Sequence, residues 1–351
     1  MTPLEEQLKF MLLRCQELLR QVMPRGRYQS SRSADTEHDY LLLGQSLIMR
    51  ARYAEHGLAD VVPDTRRPTT FQKRLAALRY TLQVRQLEIL DGIVEPLSII
   101  ESRKVLKQLT EQHELLSALA TLKRQGLSGP RSQRAGKRRA LAGLPKNWRE
   151  VLCQRGSSGK YGAALLVAAL TGCRPVELEQ GVKVWRAFDY ERNRSLIHLE
   201  ITGAKVKAGQ GQPRRHMAYA EEDGHPLVAM LNKALSSTDG GVLVVNIEKA
   251  LNFTVEVRRL AVSLWPNHRH AVTPYCFRHQ WAADAKRVGV ADAVSRGLGH
   301  VSSKTQRVYG TASQAGQRSA LRPVIVEAER PVKQLAPRHP PARLQNADPT
   351  D

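Results

Sequence analysis

The stretch from Lys123 to Arg149 constrains the chain most. It carries nine basic residues, Lys123, Arg124, Arg131, Arg134, Lys137, Arg138, Arg139, Lys146 and Arg149, and no acidic residue. Gly126, Gly129, Pro130, Gly136, Gly143 and Pro145 break any helical or strand period within it. Such a run contributes little to a core, so it divides the chain into two folding regions. It suits a solvated connector or a strap along phosphates, where each neutralised phosphate releases counterions. The strap is the favoured expectation, with Arg131, Arg134, Lys137, Arg138 and Arg139 as its contacts.

The remainder of the charge supports a polyanionic partner. Lys and Arg number 54 against 33 Asp and Glu, a net +21 over 351 residues. Residues 1–150 hold 26 basic and 16 acidic residues, and residues 151–351 hold 28 and 17. Both halves are basic, as a long polyanion touched along the whole molecule requires. Hydrophobic residues make up 42%, enough for packed cores and too many for wholesale disorder.

Several classes are excluded. The longest nearly apolar stretch, Gly162 to Gly172, is too short to span a bilayer. The opening Met-Thr-Pro-Leu-Glu-Glu lacks the basic start and apolar block of a signal peptide, so a cytoplasmic protein is expected. Cys15, Cys153, Cys173 and Cys276 are scattered and read as reduced, mostly buried thiols. The histidines show no metal-ligand spacing, and no phosphate-binding Gly-x-x-x-x-Gly-Lys loop occurs. No metal and no cofactor are therefore expected.

Residues 1–122 read as helices. Leu4, Leu8, Met11, Leu12, Cys15, Leu18, Leu19 and Val22 keep helical spacing. Further helices are expected from Thr36 to about His56, around Phe71, Leu75, Leu78 and Leu82, and from about Pro96 to Ala120. After the basic linker, 123–147, a second domain spans 148–322. An Ala- and Leu-rich helix, Gly162–Leu170, leads into Thr171-Gly172-Cys173-Arg174-Pro175-Val176-Glu177-Leu178. Period-2 alternation at Val182–Trp185 and Ile197–Ile201 predicts strands, and a Gly-rich loop, Lys205 to Gln212, returns through Arg214 to Tyr219. The expected fold is mainly α with a small antiparallel sheet. Residues 323–351 are expected to hold an apolar docking run, Pro323-Val324-Ile325-Val326, and a Pro-rich disordered tail.

Thr273-Pro274 predicts an N-cap with proline in the first turn of a helix that carries Arg278 and stops near Gly289. A Leu298-Gly299 turn then places His300, and Ser302 or Ser303 caps a short helix that presents Tyr309. In order, the chain shows Thr171-Gly172-x-Arg174 with Glu177 and Leu178, then Tyr275-x-x-Arg278-His279, then Leu298-Gly299-His300 and a tyrosine nine residues on. These boxes resemble those of the tyrosine recombinase (phage integrase) family over roughly residues 148–322. The sequence departs from that pattern in placing Glu177 one position early and Tyr275 where the family usually has histidine. Residues 1–122 resemble the family's core-binding domain in layout.

The resemblance implies DNA strand cleavage and rejoining through a 3′-phosphotyrosine on Tyr309. By the same resemblance, Arg174 and Arg278 hold the non-bridging phosphate oxygens, Lys205 protonates the leaving 5′-oxygen and His300 donates a hydrogen bond. Glu177 then orients the site. Lys207, two residues from Lys205, is the alternative acid and a further DNA contact. Tyr275 is expected to aim its hydroxyl at the phosphate, with packing beside Pro274 and Phe277 as the other reading. The implied protein is a nucleoid-associated integrase of a mobile element. Its implied partners are duplex recombination sites, three further copies in a synaptic tetramer and an accessory directionality factor, with no membrane partner. A type IB topoisomerase-like enzyme and a non-catalytic DNA-binding protein with a degenerate site are the alternatives.

Overall fold

A computed structural model describes residues 2–22, 32–94, 97–127, 129–131, 136–204, 206, 209–238, 241–289, 292–315 and 320–333. The side chains of residues 18–22, 137 and 307 are outside that description. The chain divides into two compact units, residues 1–134 and 135–351.

The first unit is helical: α1 Pro3–Val22, α2 Ala34–Ala51, α3 Leu58–Val61, α4 Pro68–Asp91 and α5 Ile99–Gln125. Its core joins Leu47 and Ile48 of α2, Leu58 and Val61 of α3, Phe71, Leu78 and Leu82 of α4, and Leu119 and Leu122 of α5. Helices α2 and α4 meet closely at Gly44, where a Cβ would lie 2.1 Å from Thr81 Oγ1. Ser98 and Glu101 close a reciprocal capping box that starts α5. The four helices expected from apolar spacing are present; α3 is too short to show a period.

The second unit contains α6 Lys137–Ala140, α7 Trp148–Gly156, α8 Gly162–Thr171, α9 Pro175–Glu179, β1 Val182–Asp189, β2 Arg194–Thr202, β3 Arg214–Ala220 and α10 Pro226–Ser236. Then follow β4 Val242–Val245, α11 Ala250–Leu264, α12 Pro274–Val288, α13 Ala293–Gly297, 3-10 turns at Ser303–Val308 and Ala312–Gln314, and β5 Ile325–Ala328. The fold is thus mainly α with a small antiparallel sheet of order β4-β1-β2-β3-β5. Val182 and Val184 of β1, Ile197, Leu199 and Ile201 of β2, and Met217 and Tyr219 of β3 turn inward onto α8 and α12 residues. The α8 run is buried all round, which is why it reads as apolar without a polar face.

Four expectations are corrected. The basic segment is not a continuous linker: its first residues extend α5 to Gln125, and Ala140 and Leu141 join the core of the second unit. Arg149 is no strap residue. It is buried in an ion pair with Asp284 at 2.6 Å, because α7 faces α8 and α12 there. The apolar run 323–326 has a partner in its own chain: β5 pairs with β3 from Arg215↔Ala328 to Ala218↔Ile325, and Val324 N–H donates to Ala218 O at 2.8 Å. Of residues 331–351, expected as a disordered tail, 331–333 are ordered against Val301 to Ser303, with Lys333 N–H donating to Val301 O at 2.9 Å, and 334–351 lie outside the described residues.

Candidate active site

The site is assembled around a buried carboxylate. Pro175 opens α9, and Glu177 at its third position reaches back to its N-cap, accepting from Arg174 N–H at 2.6 Å. The same carboxylate accepts from Arg174 Nη1 at 2.6 Å and from both Arg215 terminal nitrogens, at 3.0 and 2.5 Å. Glu177 and Arg215 are fully buried, whereas the Arg174 side chain keeps 14% of its surface exposed. Burial alone would raise the Glu177 carboxyl. The guanidiniums of Arg215, Arg174 and Arg278 outweigh it and hold the group at about 2. Glu177 therefore stays ionised and fixes two arginines, leaving Arg174 as the one with an open side.

Gly172 sets the distance between the α8–α9 corner and α12. Its φ of 59° ends α8 in the left-handed region, and a Cβ there would sit 3.0 Å from Arg278 Cα. The close approach lets Arg278 Nη1 donate to Gly172 O at 2.9 Å, while Nη2 donates to Leu298 O. Arg278 Nη2 also lies 3.2 Å from His300 Nε2. A guanidinium only donates, so Nε2 of His300 accepts and its proton resides on Nδ1. Burial, then the charges of Arg278 and Arg174, lower His300 to about 3, so the ring is neutral near pH 7. Among the described residues, buried Nδ1 of His300 has no hydrogen-bond partner. Burial likewise lowers Arg278 to about 10, which leaves it cationic near pH 7.

Tyr309 closes the site from the end of the Ser303–Val308 turn. Its ring centre lies 5.1 Å from Arg278 Cζ, 5.3 Å from the His300 ring and 5.0 Å from the His279 ring. A permanent cation, two imidazoles and a phenol thus share one wall, beside the Arg174–Glu177–Arg215 cluster. Such an arrangement offers positive charge to an anion and places a phenol oxygen beside it. Cys173, buried between these groups, is raised to about 11 by that burial and stays a thiol.

Of the residues expected from sequence, Arg174, Glu177, Arg278, His300 and Tyr309 come together. Tyr275 does not join them: it is 40% exposed in the first turn of α12, and among the described residues no hydrogen bond or ring contact ties it to the site. Around it Thr273, Pro274, Cys276 and Phe277 are buried, so Tyr275 is the exposed residue of that turn, while Arg278 is drawn inward by Gly172 and Leu298. Lys205 and Lys207 lie outside the described residues. The hairpin that carries them is anchored near His300: β2 and β3 pair out to Thr202↔Arg214, and Gln212 Nε2 donates to His300 O at 3.3 Å. Arg131 and Arg139 are exposed, Arg134 and the Lys137 side chain lie outside the description, and Arg138 instead donates to Tyr309 O at 2.7 Å.

Arg215 was not singled out from sequence, and His279 entered only as part of the second box, with no role of its own. A basic residue at the inward-facing register of β3, two residues before the buried Met217 and four before Tyr219, was the available sign for Arg215. His279, beside Arg278, had only its position next to the second arginine. Among the described residues no group of three or more His, Cys, Asp or Glu could hold a metal ion, and no helix is long and apolar enough to cross a membrane.

No protein-family model matches the chain, and no curated protein does. Among solved structures, the crystal structure of XerA recombinase is similar at 18% identity and a TM-score of 0.34, covering 87% of this chain and 93% of that one. The pre-cleavage complex of XerH site-specific recombinase bound to difH substrate is similar at 12% identity and a TM-score of 0.34, covering 80% of this chain and 95% of that one. A likeness this distant adds nothing to the reading of the site, which rests on its residues.

Proposed function

We propose that the chain is a site-specific DNA recombinase that breaks and rejoins strands through a 3′-phosphotyrosine on Tyr309. The observation that carries this reading is the Tyr309 ring held against Arg278 and His300, the residue set whose order and spacing resemble the tyrosine recombinases. In the proposed reaction the Tyr309 oxygen attacks the scissile phosphorus. The phosphorus–tyrosine bond forms as the bond to the 5′-oxygen breaks, and the phenol proton leaves to solvent or a neighbouring imidazole. The leaving 5′-oxygen takes its proton from Lys205 or Lys207. Arg174 and Arg278 offset charge on the non-bridging oxygens, and Nδ1–H of His300 donates to the same phosphate. Attack by a 5′-hydroxyl on the phosphotyrosine reverses the step and reseals a strand without an external energy source.

The +21 charge supports duplex DNA as the partner. The mobile-element role, the synaptic tetramer and the directionality factor belong to the same reading and rest on the sequence resemblance. A nicked suicide duplex that carries the chain's own recombination site tests the reading. It should trap an SDS-stable protein–DNA adduct with the wild type and none with Tyr309→Phe, DNA affinity being kept. Absence of a wild-type adduct, or its persistence in Tyr309→Phe, rejects the reading. The exposed position of Tyr275 favours a second reading, DNA binding without cleavage, and the wild-type arm decides between them.

A further inference from the structure

The backbone of Tyr309 is held by two cations. Arg138 Nη2 donates to Tyr309 O at 2.7 Å. Lys286 Nζ donates to Gln306 O at 2.8 Å, to Gly310 O at 2.6 Å and, at 3.3 Å, to the same Tyr309 O. An ammonium has three protons, and here three carbonyls of one turn converge on it. Lys286 is part-buried, and α12 carries it on the same helix as Arg278, which faces the Tyr309 ring. One helix therefore fixes the ring and the main chain of the same tyrosine.

Two further contacts tighten the arrangement. Gln314 Nε2 donates to Arg138 O at 3.1 Å, and Gln280 Nε2 of α12 donates to Gln314 O at 3.1 Å. Gly310 lies against α12 where a Cβ would be 2.3 Å from His279 O, so the chain after Tyr309 cannot lift without leaving that groove. The 3-10 turn that presents Tyr309 is only six residues long and has weak bonds of its own, such as Tyr309 N–H to Gln306 O at 3.3 Å. Its order must come from outside.

We infer that Lys286 and Arg138 are positioning residues that clamp the Tyr309 main chain and so hold the nucleophile in its own chain's site. The inference rests on the proposed recombinase reading for the word nucleophile, and on the geometry alone for the clamp. Charge-assisted bonds to carbonyls are among the stronger hydrogen bonds, and small misplacement of an attacking atom is costly in rate.

The test uses the full chain and two readouts. Hydrogen–deuterium exchange across residues 303–315 should accelerate at least threefold in Lys286→Met and in Arg138→Gln, with exchange in α8 unchanged. Trapping on the suicide duplex at saturating DNA should slow by about 10- to 100-fold in Lys286→Met with Kd unchanged, and Lys286→Arg should restore most of the rate. Unchanged exchange in both variants overturns the clamp whether or not the chain cleaves DNA. Wild-type trapping by Lys286→Met overturns it as well. If Lys286→Met does not fold, Arg138→Gln carries both readouts. A wild type that forms no adduct instead rejects the recombinase reading, and the exchange result still decides the clamp.

Discussion

The guanidinium of Arg278 lies 5.1 Å from the centre of the Tyr309 ring, with His300 accepting from the same guanidinium at 3.2 Å. Arg278 donates to Gly172 O, Leu298 O and His300, so its place is set before any anion arrives. That preorganisation matters because a cation that need not move as charge develops costs no reorganisation in the transition state.

Glu177→Gln should destabilise the second unit by about 3–5 kcal/mol, the cost of leaving a buried Arg215 without its counter-charge. The folded carboxyl is held at about 2 against an ordinary 4.5, so its contribution is present above pH 4.5 and is lost as pH falls toward 2. Urea unfolding of wild type and variant should therefore differ most above pH 4.5, with the gap narrowing steadily as pH falls to about 2. A gap that stays constant over this range would show that Glu177 titrates normally in the fold.

His300 should remain neutral through the range in which ordinary histidines charge. Its folded value of about 3 lies below the ordinary 6.5, so the unfolded chain takes up a proton first. The stability linked to it is complete above pH 6.5 and falls as pH drops toward 3. Imidazole nitrogen NMR should show a neutral Nδ1–H ring at pH 5. A His300 titration midpoint near 6.5 would contradict the buried contact with Arg278.

Removal of residues 323–351 should destabilise the chain itself. The truncation takes β5 from the open edge of β3, exposing the backbone groups of Arg215 to Ala218 and part of the Leu196–Ala218–Ala220 patch covered by Val324 and Ile325. A lower Tm and faster amide exchange in β3 are the expected outcomes. A truncated chain with the wild-type Tm would mean that the strand contributes nothing to the fold.

Strand cleavage should proceed in excess EDTA and without ATP. In the proposed reaction the positive charge comes from Arg174, Arg278 and Lys205 or Lys207, and the nucleophile is Tyr309, so that chemistry draws on protein groups alone. Suicide-substrate trapping with and without EDTA measures this. Loss of trapping that magnesium restores would require a different mechanism.

Much of the fold and site was legible in the residues themselves. Helical spacing marks α1 and α4, and alternation marks β1 and β2, whereas β3, buried on both faces from Met217 to Ala220, was read as the return from the Gly-rich loop. β4 and β5 were not legible, since four residues are too few to show a period and their partners are distant in sequence. The boxes around Arg174, Arg278, His300 and Tyr309 depend on local order and spacing, so sequence alone picks them out. Which residues surround them does not. In a chain of 54 basic residues, composition gives Arg138, Arg149 and Arg215 the same sign and the same solvated look. Only long-range packing sends Arg215 to Glu177, Arg149 to Asp284 and Arg138 to the Tyr309 carbonyl, and leaves Tyr275 at the surface. The physical reason is that a charge enters a core only where a counter-charge or carbonyl waits for it, and that partner comes from elsewhere in the chain.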